Sequence, residues 1–401
     1  MAEDQPGVIG GVDTHRDAHV AAALDTAGRL LAVASFSATH IGYGRLLRWL
    51  RGWGELGCVG VEGTGSYGAG LARFLSAEGV EVKEVIRPRR QTRRGAKSDP
   101  ADAEAAARAV LSGEASGLPK SADGAVEAIR MLRAARRSAV KARTCAINQL
   151  KALLVTAPEQ VAAPLRGSST AALMAACCGL RPGGGEAVAA AKMSMRCLAR
   201  RHRALSAEIS ELDAEIARLC AKANPALIAA RGVGADTAAA LLIAAGDNPQ
   251  RLRSEASFAA LCGACPVEAS SGRTVRHRLN RGGDRQANNA LWRIATVRLR
   301  CDQQTKDYAA RRRAEGKNDR EIIRCLKRYI AREIYRLLTD PPVVPHGADL
   351  RQQRQLNAMT LDTAAAALNA WPTRISHLER GLIHDRDLAE RYQQHLTQIT
   401  T

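Results

Sequence analysis

The sequence predicts a mixed α/β domain at the N-terminal end and a mainly helical remainder. Three observations lead there. Apolar runs and helical spacing alternate over residues 8–86 in the order three strands, helix, strand, helix, strand. Two later segments keep three-four apolar spacing long enough for extended helices, and from Ala226 onward the chain turns to Gly-punctuated helical segments.

Val8–Val12 is a short apolar run ending in Asp13, and His19–Ala23 with Leu30–Ser35 supply two further strands of an antiparallel meander. Asp13 then falls on the central strand. The spacing of Leu46, Leu47 and Leu50 predicts a helix over 41–53, after which Cys58–Val61 forms a buried strand closed by Glu62. Gly63, Gly65 and Gly68 permit a tight exit into a helix running through Phe74, and Val80–Ile86 supplies a fifth strand. The next helix begins near Ser98, with Pro100 suited to its first turn. Asp99 and Asp102, three residues apart, project from one face of that turn.

This order is that of a ribonuclease-H-like fold, which would aim Asp13, Glu62, Asp99 and Asp102 at one point. Ionised carboxylates gathered so closely repel one another, and such a site is normally held by divalent cations with oxygen ligands, Mg²⁺ fitting best. Two such ions roughly 4 Å apart activate an attacking oxygen and stabilise a leaving oxygen in phosphodiester displacement. Any one of these acids alone reads equally as a cap or a solvated turn. Their joint placement favours the metal site.

The 401 residues suffice for two or three domains, and a net charge of +19 points to a polyanionic partner, nucleic acid first. No apolar run approaches the roughly 18 residues of a membrane span. Aromatic residues make up only 3%, which argues against base stacking as the main source of affinity. The ten scattered cysteines and the lack of an apolar leader segment suggest a reducing cytoplasm. Cys262 and Cys265 form a lone CxxC without a second pair at zinc spacing and read as small buried hydrophobes.

The organisation expected is a catalytic domain over 1–115, a helical coiled-coil segment over 120–222, a second functional domain over 223–340 and a tail over 350–401. Between the fifth strand and the Asp99 helix lie Arg87, Arg89, Arg90, Arg93, Arg94 and Lys97 with no acid among them, a run able to hold a phosphate backbone beside the carboxylates. Ile129, Leu132, Val140, Ile147, Leu150 and Leu154, and then Leu198, Leu205, Ile209, Leu212, Ile216 and Leu219, mark two long helices with the turn Pro182–Gly185 between them. They could close on each other or join protomers. Joining protomers, as a dimer or tetramer, is the expectation.

The segment from Leu227 resembles a helix-hairpin-helix element in which Gly232 and Gly234 bring backbone amides to a phosphate. Further on, Ser271 before Gly272 can sit on a sharply turning backbone, as a nucleophile or as an ordinary turn serine. Arg273, Arg276, Arg278, Arg281 and Arg285 follow, as expected where charge on a phosphoryl group must be met.

Two blocks of this sequence resemble the DEDD transposases of the insertion-sequence-110 type. GVDTHRDAHVAA, VGVEGTGSYGAGLARFL and KSDPADAEAAAR are similar to their RuvC-like domain, and ARGVGADTAAALLIAAGD with LCGACPVEASSGRTVRHRLNRGGDRQANNALWRIA is similar to their transposase domain. The resemblance spans most of residues 8–338. It implies Mg²⁺-dependent recombination with Asp13, Glu62, Asp99 and Asp102 as metal-binding acids and Ser271 as nucleophile, although residue chemistry leaves Ser270 beside it open. It also implies a composite site, the serine of one subunit meeting the acids of another, and a noncoding bridge RNA pairing with donor and target DNA, with the protein gripping backbones. A bacterial, nucleoid-associated location follows. Leu361–Gly381 resembles a repressor-type helix-turn-helix, with Thr373, Arg374 and His377 toward a groove, or else a packing hairpin. Two other functions stay in view: a RuvC-like nuclease using metal-activated water, and a nucleic-acid-binding regulator whose acids are structural.

Overall fold

A computed structural model describes residues 7–85, 98–273, 277–278, 280 and 282–400. The chain divides into two compact units, Met1–Gly124 with Ala245–Arg253, and Ala125–Ala244 with Ser254–Thr401. The basic run Arg87, Arg89, Arg90, Arg93, Arg94 and Lys97 lies outside the described residues, as do Arg276 and Arg281.

The first unit holds the strand and helix order read from the sequence. Strands β1 (Gly7–Thr14), β2 (Ala18–Asp25), β3 (Leu30–Ser37), β4 (Glu55–Glu62) and β5 (Glu81–Val85) form one sheet in the order β3-β2-β1-β4-β5. Pairing is antiparallel across β1–β2 and β2–β3 and parallel across β1–β4 and β4–β5, so β1 is central. Strands β1 to β4 extend beyond their apolar runs because ladder hydrogen bonds, which any residue can make, continue past the buried positions, whereas β5 is described over Glu81–Val85, inside the expected 80–86. On one face sit α1 (His40–Arg51) and α2 (Ala69–Ala77). Leu46, Leu50, Leu71 and Leu75 are fully buried there against Val12, Val59 and Val61, each contributing about 1.5–3 kcal/mol. Thr39 caps α1, its hydroxyl accepting from Gly42 N at 3.2 Å.

Helix α3 (Asp99–Leu111) covers the other face through small residues, Ala103, Ala106 and Ala107. Its close approach requires glycine below it. A Cβ at Gly11 of β1 would collide with the Ala103 carbonyl and the Ala107 amide, and one at Gly60 of β4 would lie 2.8 Å from the Ala106 carbonyl. A helix pressed this near the sheet carries its N-terminal acids to the end of β1. Residues 245–253 also belong to this unit: Arg251 donates to Glu84 Oε2 at 2.9 Å and to the Leu118 carbonyl at 3.0 Å.

In the second unit, α4 (Ala125–Thr156) and α7 (Glu186–Ala223) close on each other within the chain, one of the two arrangements their spacing permits. They run antiparallel: Arg136 of α4 meets Asp213 of α7, Nη2 to Oδ2 at 3.2 Å, whereas Leu150 shares its cluster with Val188, Met195 and Ala199. The connection is more than the turn Pro182–Gly185. Helices α5 (Glu159–Ala162) and α6 (Thr170–Cys178) fill it, burying Val161, Leu173 and Cys177 against the pair.

Beyond α7 come α8 (Pro225–Ile228), α9 (Ala235–Ala245), α10 (Glu255–Leu261), the hairpin β6 (Val267–Glu268) and β7 (His277–Arg278), and then α11 (Arg285–Cys301), α12 (Gln303–Ala314) and α13 (Asp319–Thr339). Leu291 and Ile294 of α11 and Ile330 and Ile334 of α13 are buried as these two helices pack. The tail α14 (Gly347–Leu356), α15 (Leu361–Ala367), α16 (Pro372–Glu379) and α17 (Arg386–Thr400) has its own core around Leu350, Ala365, Ile375 and Tyr392. Asn369 at φ +50° makes the turn between α15 and α16. Buried Glu379 is met by Arg354 at 2.7 and 3.0 Å and by the Tyr392 hydroxyl at 2.8 Å.

Candidate metal centre and nucleic-acid surfaces

The acidic site is built where β1 and β4 end beside the start of α3. Asp13 is 1% exposed and Glu62 7%, both on strands whose following residues turn away from the sheet. The Thr14 hydroxyl donates to the Glu62 carbonyl at 2.8 Å, tying the two strand ends together. Gly63 leaves at φ +69°, which lets the chain turn sharply and keeps the Glu62 backbone in the sheet. Asp99 and Asp102 stand in the first turn of α3, where the helix N-terminus favours negative charge.

Burial pushes the Asp13 carboxyl above its ordinary range, and Glu62, Asp102 and Asp99 push it the same way, against the opposing pull of His15. These three carboxylates act on Asp13 by like-charge repulsion. His15 Nε2 lies 3.1 Å from Asp13 Oδ2 and 3.4 Å from Asp99 Oδ2. Asp13, His15 and Asp99 each offer a ligand atom within 4.8 Å of the others. Carboxylate oxygens with one imidazole form a donor set able to hold a divalent cation, and such a cation would reverse the upward shift on Asp13. His15 is a site residue that the sequence reading did not single out. The available signal was its place two residues after Asp13, since extended chain returns i and i+2 to one face.

Ser271 lies in the second unit, exposed in the loop between β6 and β7, and Gly272 beside it sits at φ +57°. Arg273, Arg278 and Arg285 are exposed near it in sequence, Arg285 opening α11, whose N-terminus Asp284 caps at 2.7 and 3.0 Å. Cys262 is buried and its thiol is pushed up to about 12 by burial, while Cys265 Sγ accepts from Asn280 Nδ2 at 3.1 Å.

The glycine loop is more self-satisfied than a phosphate cradle requires. Gly234 N donates to the Thr237 hydroxyl at 3.0 Å, and the helix before the loop, α8, is one turn long. Asp236 in the first turn of α9 pairs with Arg133 at 3.2 Å, with Arg293 and, at 3.9 Å, with Arg136, so this N-terminus already faces its own carboxylate and three cations. Gly232 is at φ +76° and lines a cleft of about 960 Å³ together with Thr373, Arg374 and His377 of the tail. Arg374 there pairs with Asp385 at 2.5 Å.

Residues 10–157 match a family model of DEDD type described as a transposase of IS110, and residues 224–310 match the model of the transposase IS116/IS110/IS902 family. Asp13, Glu62, Asp99 and Asp102 fall within the first match and Ser271 within the second. A Streptomyces coelicolor A3(2) protein, the insertion element IS110 uncharacterized 43.6 kDa protein, is 31% identical over 148 residues, 37% of this chain and 35% of that relative. The chain thus aligns with about a third of that curated relative's length.

Proposed function

Since the chain belongs to the IS110 family of transposases, we propose that it is the recombinase of a bacterial insertion sequence, cutting and rejoining DNA through a covalent phosphoserine. The observation that carries this is the convergence of Asp13, His15 and Asp99, with Glu62 and Asp102 felt at Asp13. The first unit is read as RuvC-like, and the order β3-β2-β1-β4-β5 with its antiparallel and parallel halves supports that reading. The proposed division of labour is catalytic acids over 1–115, a helical arm over 120–222, a transposase domain over 223–340 and a tail over 350–401.

Asp13, Glu62, Asp99 and Asp102 are the proposed ligands of Mg²⁺. When bound, such an ion polarises the scissile phosphate and stabilises the departing oxygen. Ser271 Oγ attacks phosphorus: the Oγ–P bond forms as one P–O bond to a sugar breaks, the seryl proton passes to a base and the sugar oxygen takes one up. Exposure of Ser271 on a turning backbone supports this role. Arg273, Arg278 and Arg285 lie close in sequence to meet charge on the phosphoryl oxygens. Rejoining reverses the step, a DNA hydroxyl displacing Oγ. A noncoding bridge RNA is the proposed guide, consistent with a chain of net charge +19 and 3% aromatic residues that grips backbones rather than stacking bases.

In the tail, α15 and α16 are read as a helix-turn-helix-like pair with Thr373, Arg374 and His377 exposed on α16. Strand-exchange assays with Asp13→Asn and with Asp102→Asn test the metal role. Either substitution alone is expected to remove nearly all activity because metal ligands act as a unit. Unchanged strand exchange in both would reduce the acids to structural residues.

A further inference from the structure

The deepest buried cation of the second unit lies in α13. Lys327 is 7% exposed, and its ammonium donates to Asn288 Oδ1 at 3.0 Å. Among the described residues no carboxylate pairs with it. A buried ammonium without a counter-charge is costly, and burial together with Arg324 pulls its pKa below the ordinary lysine range.

Lys327 opens onto a cleft of about 730 Å³ whose other cations include Arg278, Lys317 and Arg324. Among the described residues Arg324 has only a loose partner, Glu321 at 3.9 Å, whereas Arg328 and Arg332 on the same wall are both engaged by Glu255. Tyr308 and Tyr329 also line the cleft, edge to face at 5.6 Å, and Tyr329 is 52% exposed. A stacking face beside unneutralised cations is the pairing that a nucleic-acid strand uses, base on ring and phosphate on charge. Asn288 links this cation to the Ser271 hairpin. The amide that accepts from Lys327 donates its Nδ2 to the carbonyls of Cys262 at 2.8 Å and Gly263 at 3.0 Å, the turn that leads into β6.

We propose that this cleft seats one single nucleic-acid strand, a phosphodiester on Lys327 flanked by Arg278, Lys317 and Arg324, and a base on Tyr329, so that strand binding and the hairpin bearing Ser271 are coupled through Asn288. The coupling rests on the transposase reading, whereas the strand site does not. Ribose and deoxyribose strands present the same phosphodiester.

Fluorescence anisotropy on the full chain with labelled single-stranded DNA, single-stranded RNA and duplex DNA across a salt series tests it. Lys327→Met is expected to weaken single-strand binding about tenfold and to flatten the logarithmic salt slope by roughly 0.7, one phosphate contact on a single strand. It should also raise the melting temperature, since it removes an uncompensated buried charge. A purely structural lysine would do the reverse. Tyr329→Ala should weaken single strands and leave duplex binding unchanged. Tighter RNA than DNA binding assigns the seat to a guide, and the converse to a substrate strand; both support the site. Parental affinity and slope in Lys327→Met overturn it. Should that variant not fold, Arg278→Gln at an exposed position and Lys317→Gln at a half-buried one give the same readout, and unchanged slopes in both overturn the proposal. Strand binding is read here without any strand exchange, so failure of the recombinase reading leaves this result distinguishable.

Discussion

Asp13 occupies a position in which its own charge is unwelcome. Burial first, and then Glu62, Asp102 and Asp99, hold its carboxyl above the ordinary value of 3.8, with only His15 opposing. A folded-state pKa raised above the unfolded one favours folding at pH below the unfolded value, and that contribution is lost as pH rises through the folded value. The metal-free protein should therefore lose stability from Asp13 as pH is raised from acid toward neutrality, and Mg²⁺ should restore it. Asp13→Asn should melt higher than the parent in EDTA at pH 7 and show no further rise with Mg²⁺. Thermal melts in both conditions check this, and a lower-melting variant with an intact Mg²⁺ response would contradict it. His15 fits the same picture as a ligating group, among the described residues, between Asp13 and Asp99 at 3.1 and 3.4 Å.

The acidic end of the sheet depends on how closely α3 lies on it, which is a property of elements rather than of single acids. Gly11→Ala places a methyl against the backbone of Ala103 and Ala107. The expected cost is about 1–3 kcal/mol, read by chemical denaturation, together with weakened Mg²⁺ binding as Asp99 and Asp102 move with the helix. Strands β1, β2 and β4 around this contact were legible because each buries an apolar run, and Asp13 and Glu62 stood out because they end such runs. The acids of α3 were legible from their spacing. His15 was signalled only by its place two residues after Asp13, because one histidine beyond a strand end has no pattern of its own. Helix α6 (TAALMAACC) was missed as well: apolar on nearly all sides, it shows no stripe for a helical period to reveal. The hairpin β6–β7 has strands of two residues each, too short for alternation. Local spacing gave the α4 and α7 seams, whereas their pairing within the chain came only from tertiary packing, as Leu150 met Met195.

At the scale of the whole molecule, the acids belong to the first unit and Ser271 to the second. No helix among the described residues is long and apolar enough to cross a membrane, and the net charge of +19 suits a polyanion. If the serine of one copy serves the acids of another, an Asp13→Asn chain mixed with a Ser271→Ala chain should recover part of the strand exchange that each lacks alone. No recovery at any mixing ratio would indicate that each copy uses its own serine. The most direct measurement is mass-spectrometric mapping of the protein–DNA adduct formed by the parent chain with Mg²⁺ and with EDTA. The account predicts a nucleotide on the peptide containing Ser271, at Ser271 itself, present with Mg²⁺ and lost with EDTA or Asp102→Asn. Complete DNA cleavage by Ser271→Ala with no adduct on any serine would contradict it.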